Sequence, residues 1–260
     1  MVNRHLQLHS GFPPSELVFV PTMSIRAKNR NKTALRRGFS LIELLSVLAV
    51  MSLLSGFLVI SIPGMKSSQD VTTAAYDVQG VLEQARITAM ANNTYTWVGF
   101  FEENPNNPGT AGTGQVVISV VSSGDGTQTY SNASAPTALP STSLAQVSKL
   151  MKIPNSHLDV LTAAAVTRPS VPANTYQVGN SAFANGTTFP YPLSGTPTYT
   201  FTNIIQFNPQ GDATRIVDVP TQWMEIGLRP SHGSSTDTAS KNVVAVQISG
   251  IGGKVTVYRP

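Results

Sequence analysis

The longest apolar stretch of the chain runs from Phe39 to Ile62 and contains one charged residue, Glu43. At a rise of about 1.5 Å per residue, a helix of this length exceeds the roughly 30 Å of a bilayer core. The pattern therefore predicts a transmembrane helix over residues 39–62. Pro63 and Gly64 follow directly and predict a kink or a short break in the helix.

A second helical pattern follows, because small and apolar residues recur at steps of three and four. These residues are Val71, Ala74, Ala75, Val78, Leu82, Ala85 and Ala89. The spacing predicts an amphipathic helix over residues 63–93 that continues the first one and buries this stripe. Asn92 and Asn93 are its predicted end.

From residue 94 the pattern favours β-strands, with runs of β-branched and aromatic residues separated by Gly, Pro and Asn. Strands are predicted over residues 95–101, 115–121, 149–153, 158–161, 200–207, 215–219, 223–228, 243–248 and 254–258. Residues 122–143 and 162–200 are rich in loop-forming residues and predict two insertions. The expected fold class is α+β: a long N-terminal, transmembrane α-helix packed on an antiparallel β-sheet head, residues 94–260.

Charge is distributed unevenly along the chain. The net charge is +4, but residues 1–38 hold seven of the 17 basic residues and one of the 13 acidic residues, Glu16. The remainder, with ten basic and twelve acidic residues, has a net charge of −2, so total charge gives no support to nucleic-acid binding. By the positive-inside rule the basic leader, residues 1–38, lies in the cytoplasm and the head lies across the membrane. Met23 is an alternative start that would shorten the leader.

The absence of cysteine excludes a disulfide framework, a thiolate metal site, a cysteine nucleophile and a lipoprotein anchor. A conventional signal peptide would end in a small-residue cleavage site, which residues 61–65 lack. Hydropathy by itself leaves a plain signal anchor on an exported protein open as an alternative.

Glu43 is the residue with the most informative chemistry. A carboxylate inside a membrane helix costs about 2.5–3.5 kcal/mol on insertion scales. Either Glu43 stays hydrated near the cytoplasmic interface, or it pairs with a cation, and the apolar run contains no Lys, Arg or His. Cleavage between Gly38 and Phe39 would create a cation, the α-amine of Phe39, which a neighbouring subunit could present to Glu43.

The segment Arg36–Glu43, followed by about twenty apolar residues, resembles the type III signal of type IV prepilins and type II secretion pseudopilins. This resemblance implies cleavage after Gly38 by a prepilin peptidase that also N-methylates Phe39, and a role for Glu43 in subunit registration. It also implies a bacterial inner-membrane, single-pass subunit with a periplasmic head, whose partners are other pilins, an assembly platform and the lipid bilayer. The leader is longer than is usual in the family.

Three looser motifs resemble H-type (GspH/FimT-like) minor pseudopilins. They are Leu82–Ala89, the turn Phe207–Gly211, and a terminal hairpin formed by residues 243–248 and 253–257. The expected function is that of a structural minor subunit of a secretion pseudopilus or type IV pilus. The alternatives are a minor pilin that binds DNA or a surface through its head, and a signal-anchored protein that forms no fibre.

No other motif predicts an enzyme, a cofactor or a metal site. His157 and His232 lack metal-ligand spacing, the glycine-rich residues 109–114 lack a phosphate-loop ending, and no nucleophile elbow occurs. A calcium site formed by scattered aspartates (Asp125, Asp159, Asp212, Asp218 and Asp237) and a basic patch (Arg215, Arg229, Lys254 and Arg259) are left open. Trp97 and Trp223 are expected in the core or the sheet.

Overall fold

The computed structural model describes residues 38–128, 138–184, 186–215 and 222–260, and within them it leaves the side chains of residues 56–69 undescribed. The chain divides into two compact units, Met1–Met51 and Ser52–Pro260. One helix, α1 (Leu41–Ala91), contributes residues to both. The helix passes through Pro63 and Gly64 without interruption, so the predicted short break is wrong.

The second unit contains thirteen strands among its described residues. They are β1 (Thr96–Glu103), β2 (Gln115–Ser123), β3 (Leu144–Gln146), β4 (Met151–Pro154), β5 (Ser156–Asp159), β6 (Phe189–Tyr191), β7 (Tyr199–Phe201), β8 (Asn203–Phe207), β9 (Ala213–Arg215), β10 (Trp223–His232), β11 (Ser235–Thr236), β12 (Val244–Ser249) and β13 (Val255–Tyr258). Three short 3-10 helices lie at Ser141–Ser143, Asn174–Tyr176 and Ser181–Phe183.

These strands form two main sheets and one ribbon. The first sheet has the order β3-β2-β1-β8-β9, with β4 also paired to β2. The second has the order β11-β10-β12-β13, with β5 also paired to β10, and β6 pairs with β7 in the ribbon. Every pairing between these strands is antiparallel, which confirms the predicted α+β class with antiparallel sheets.

The main core of the second unit is shared by α1 and both sheets. All seven residues of the predicted apolar stripe, from Val71 to Ala89, are buried in it. They pack with Val98 and Phe100 of the first sheet and with Ile226 of the second, among other residues. The buried Thr96 hydroxyl donates to the Ala85 carbonyl oxygen at 2.9 Å, so the start of β1 is hydrogen-bonded to the helix. The helical period thus predicts correctly which helix face is buried.

The opposite face of the first sheet carries a second apolar cluster. Side chains alternate along a strand, so Val98 and Phe100 of β1 point to the main core and Trp97 points to this second cluster. Phe189 and Phe201 belong to the same cluster as Trp97. The rings of Phe189 and Phe201 are stacked with their centroids 5.0 Å apart. Residues 162–200, which the sequence predicts to be loop-rich, therefore supply buried aromatic side chains and strand β6.

Candidate processing and assembly site

The junction between Gly38 and Phe39 lies immediately before the first turn of α1. Gly38, Phe39 and Ser40 are not helical and are exposed, with Phe39 81% exposed. A methyl group placed on Gly38 would meet no atom within 4 Å. The peptide bond that the sequence predicts to be cleaved thus lies in exposed, non-helical chain.

Ser40 caps the helix, a role that the sequence reasoning missed. Its hydroxyl oxygen accepts a hydrogen bond from the Glu43 amide nitrogen at 3.2 Å, and its carbonyl oxygen accepts one from the Leu44 amide nitrogen at 3.1 Å. Serine at the cap with glutamate three residues later is the sequence pattern of a capping box. Glu43 also stands in the first turn, where a negative charge is stabilised by the helix dipole. The Ser-x-x-Glu pattern was the signal available for predicting this cap.

The apolar residues of the first unit are exposed around the whole helix. Each of the following side chains is more than half exposed: Leu41, Ile42, Leu44, Leu45, Val47, Leu48, Val50 and Met51. Among the helical residues whose side chains are described, no stretch is long and apolar enough to cross a membrane. Residues 56–62 of the predicted span 39–62 lie outside those residues. Residues 1–37 of the predicted leader, residues 1–38, also lie outside the described part of the chain.

In the second unit the three looser motifs meet at one corner. Two hydrogen bonds join the turn after β8 to the β12–β13 hairpin. The Ala213 amide nitrogen donates to the Gly250 carbonyl oxygen, and the Gly252 amide nitrogen donates to the Asp212 carboxylate, both at 2.8 Å. Added methyl groups at Gly211 and Gly253 would press on Met90 and Arg86 of α1, respectively. Motifs that are far apart in sequence therefore form one contiguous structure.

The two glutamates that end β1 point to opposite sides and have different partners. Glu103 is fully buried and receives hydrogen bonds from Lys152 Nζ at 2.7 Å, the Gly109 nitrogen at 2.8 Å and the Tyr199 hydroxyl at 2.9 Å. Burial raises the pKa of Glu103, but these hydrogen bonds outweigh it and hold the pKa below its usual value.

Glu102 lies 2.6 Å from His157 Nδ1 and connects β1 of the first sheet to β5 of the second. Burial and the positive charge of Arg229 lower the pKa of His157. The hydrogen bond to Glu102 and the negative charges of Glu102 and Asp159 outweigh these two effects, so the pKa of His157 is raised. When His157 is protonated, it therefore forms an inter-sheet ion pair with Glu102.

Three basic residues of the predicted patch have different partners. Arg215 covers the Tyr176 ring, Arg229 pairs with Asp159 at 2.6 Å, and Arg259 lies over Tyr76. Each of these three basic side chains thus has its own local partner.

The aspartates and tryptophans have local roles as well. Asp125 accepts hydrogen bonds from Ser123 and Thr127, which lower its pKa to about 2. Within the described residues no three His, Asp or Glu side chains are grouped as metal ligands, and Asp218 lies outside them. Trp97 is fully buried, as predicted, and Trp223 begins β10.

Comparison with known families identifies the N-terminal segment. Residues 34–59 match the family model for the prokaryotic N-terminal methylation motif. The chain carries a prokaryotic methylation motif. This match supports the type IV pilin and pseudopilin family and indicates a pilin-like protein that prepilin peptidase processes and that assembles with other pilins. It also implies a membrane-anchored, exported protein.

The match covers the N-terminal methylation motif only, and it includes Gly38, Phe39 and Glu43. The cleavage, methylation and assembly roles of these three residues stay predictions. No curated protein and no solved structure gives a significant match to this chain. The H-type assignment therefore rests on the chain's own motifs.

Proposed function

We propose that the chain is a structural minor subunit of a type II secretion pseudopilus or a type IV pilus, of the H type, without enzymatic activity. The methylation motif over residues 34–59 is the observation that carries this proposal. The meeting of the three looser motifs at one corner of the second unit supports the H type. The subunit waits in the inner membrane, with its head in the periplasm, until the assembly machinery extracts it into a fibre.

The physical basis of the proposed assembly is that the apolar helix moves from one apolar environment, the lipid bilayer, to another, the interior of the fibre. The apolar side chains of residues 41–51 are covered by lipid before assembly and by neighbouring subunits afterwards. Glu43 then pairs with the methylated α-amine of a neighbour's Phe39. Because a charge pair in a low-dielectric core is strongly penalised when either partner is missing, this pair selects one axial register.

Intact-mass analysis of the membrane-bound protein tests the processing step. The expected mass corresponds to a chain that begins at Phe39 and carries one methyl group. Gly38→Val places a branched side chain at the junction and should leave the leader attached. An unprocessed wild-type chain in cells that contain an active prepilin peptidase would instead identify a plain signal anchor.

A second experiment tests the assembly role of Glu43. Glu43→Gln and Glu43→Val should both leave membrane insertion intact, because they remove a charge from an apolar helix. Both should reduce the amount of protein in the sheared-fibre fraction. Unchanged incorporation of both variants would show that Glu43 does not set the register.

A further inference from the structure

A cavity of about 220 Å³ lies where the two main sheets of the second unit meet. Residues of β1 and the start of β8 line it from the first sheet, and Leu158 of β5 lines it from the second. Pockets that hold a whole small molecule have about 300–1,000 Å³. This cavity is therefore of a size to hold one side chain.

The apolar wall of the cavity is part of the main core. Phe100, Leu158 and Val178 line the cavity, and each of them is at most 5% exposed. All three belong to the cluster that α1 and both sheets share, so their positions are fixed by packing. A group that enters the cavity gains most if it places apolar atoms against this wall.

Glu102 supplies a negative charge to the same cavity. Its side chain is 18% exposed, and both of its described contacts are made by Oε1: His157 Nδ1 lies at 2.6 Å and the Gly114 amide nitrogen donates at 3.4 Å. Among the described residues, Oε2 has no donor. A largely buried carboxylate oxygen without a donor is unfavourable, so a donor from outside would stabilise it.

The other polar groups of the cavity also offer acceptors. Asn203 donates through Nδ2 to the Val178 carbonyl oxygen at 2.9 Å, which orients the amide and leaves Oδ1 to accept a hydrogen bond. Thr202, which is exposed, adds a hydroxyl group. The described lining contains no Lys or Arg. The cavity thus combines an apolar wall, one negative charge and several acceptors.

Arginine and lysine side chains have the complementary chemistry, because each carries a cation on an apolar stem. An apolar group would leave Glu102 Oε2 without a donor, and an acidic group would be repelled by Glu102. We infer that this cavity binds the basic side chain of a partner protein, with its stem against Phe100 and Leu158 and its cation on Glu102. The site goes beyond the proposed fibre role and does not depend on it, because one subunit contains all of these groups.

His157 competes with such a ligand for Glu102. Protonated His157 neutralises the Glu102 charge, and neutral His157 leaves that charge available to another cation. Asp159 and Arg229 also act on His157, and they pair with each other at 2.6 Å. Binding of a cation should therefore strengthen as the pH rises through the raised pKa of His157.

Saturation-transfer NMR with the detergent-solubilised full-length chain tests the inference. The probes are N-acetyl-arginine methylamide and N-acetyl-lysine methylamide, and N-acetyl-norleucine methylamide is the matched neutral control. At about pH 9 the basic probes should bind with a Kd of about 1 mM, and the tighter of the two identifies the preferred side chain. The neutral probe should bind at least about tenfold more weakly. Equal binding of all three probes, or no saturable binding, would overturn the inference.

Three variants show whether the probes bind in this cavity. Glu102→Gln should weaken the binding of the basic probes at least about tenfold. Glu83→Gln makes the same chemical change in α1, outside the cavity, and should leave binding unchanged. Thr202→Trp fills the exposed rim and keeps the pair of Glu102 and His157, so it decides the question if Glu102→Gln does not fold. Wild-type affinity in Thr202→Trp, or in folded Glu102→Gln, would contradict the assignment.

The pH dependence supplies an independent measurement. The wild type should bind the basic probes severalfold more weakly at about pH 5 than at about pH 9. His157→Gln should remove this difference. An affinity at pH 5 equal to or higher than that at pH 9 in the wild type would overturn the role of Glu102. None of these results depends on fibre assembly, so failure of this site and failure of the proposed function are separate outcomes.

Discussion

The pair formed by Arg168 and Glu225 is the most stringent test of the head structure. Both side chains are fully buried, and the guanidinium donates twice to the carboxylate, at 2.6 Å from Nε and 2.8 Å from Nη2. Gln247 donates a further hydrogen bond to the same carboxylate at 2.8 Å. The remaining guanidinium hydrogens go to backbone oxygens of Leu161, Thr162 and Val166, so the pair fixes this segment to β10.

Glu225→Gln keeps the shape of the side chain and removes its charge, which leaves Arg168 buried without a counterion. Breaking a buried pair in this way costs about 3–5 kcal/mol. For a domain of this size, each kcal/mol lowers the melting temperature by about 2–4 °C. The variant should therefore unfold roughly 6–20 °C below the wild type.

Thermal unfolding followed by tryptophan fluorescence measures the effect, since Trp97 is fully buried in the native head. Glu83→Gln is the matched control because it makes the same chemical change in a partly exposed pair, 3.3 Å from Arg86. A surface pair contributes at most about 1 kcal/mol, so this control should lose less than about 4 °C. An equal fall in melting temperature in the two variants would refute the reasoning. It would mean that a buried arginine without its counterion destabilises the head no more than an exposed one.

Two further predictions concern the inter-sheet pair and the terminal hairpin. Because the pKa of His157 is raised, its pair with Glu102 stabilises fully below about pH 6.5 and loses this effect as pH rises through the raised pKa. His157→Gln should therefore lower the melting temperature more at about pH 5 than at about pH 9, and equal losses at both would contradict the assignment. Gly253→Ala and Gly233→Ala place alanine at the same φ of +59°, but only Gly253 has an obstructing neighbour, the Gly211 carbonyl oxygen. Gly233→Ala should lower the free energy of unfolding by about 1–2 kcal/mol, and Gly253→Ala should lower it by about 1–3 kcal/mol more than Gly233→Ala does. Urea unfolding measures both values. Equal losses would show that the backbone around Gly253 and Gly211 shifts easily to accept the added methyl group.

The helix and most strands were predictable because their patterns are periodic over many residues. The apolar residues from Val71 to Ala89 recur with a helical period, which predicts that they share one helix face. That face is the buried one. Strand β6 escaped prediction because it is three residues long and contains Pro190, which argues against a strand. Strand β10 extends through His232, beyond the predicted end at Leu228.

The contacts of charged residues were not predictable in the same way. Arg168 and Glu225 stand 57 positions apart, and no local pattern indicates that they meet. Adjacent Glu102 and Glu103 look equivalent in sequence, yet the strand alternation sends one to His157 and the other to Lys152 and Tyr199. At the N-terminus the reverse holds, because the Ser40 cap follows from a four-residue pattern alone.

The shared core of α1 and the two sheets has a mechanical consequence. A subunit that is drawn out of a membrane by its helix transmits the pulling force to its head through that helix. The stripe from Val71 to Ala89 lies along the helix inside one core, so an axial load is divided among all of its side chains at once. Sliding the helix by one turn, about 5.4 Å, would displace every one of these side chains from its neighbours together. An axial load on α1 is thus spread over the whole stripe and does not unfold the head from one end.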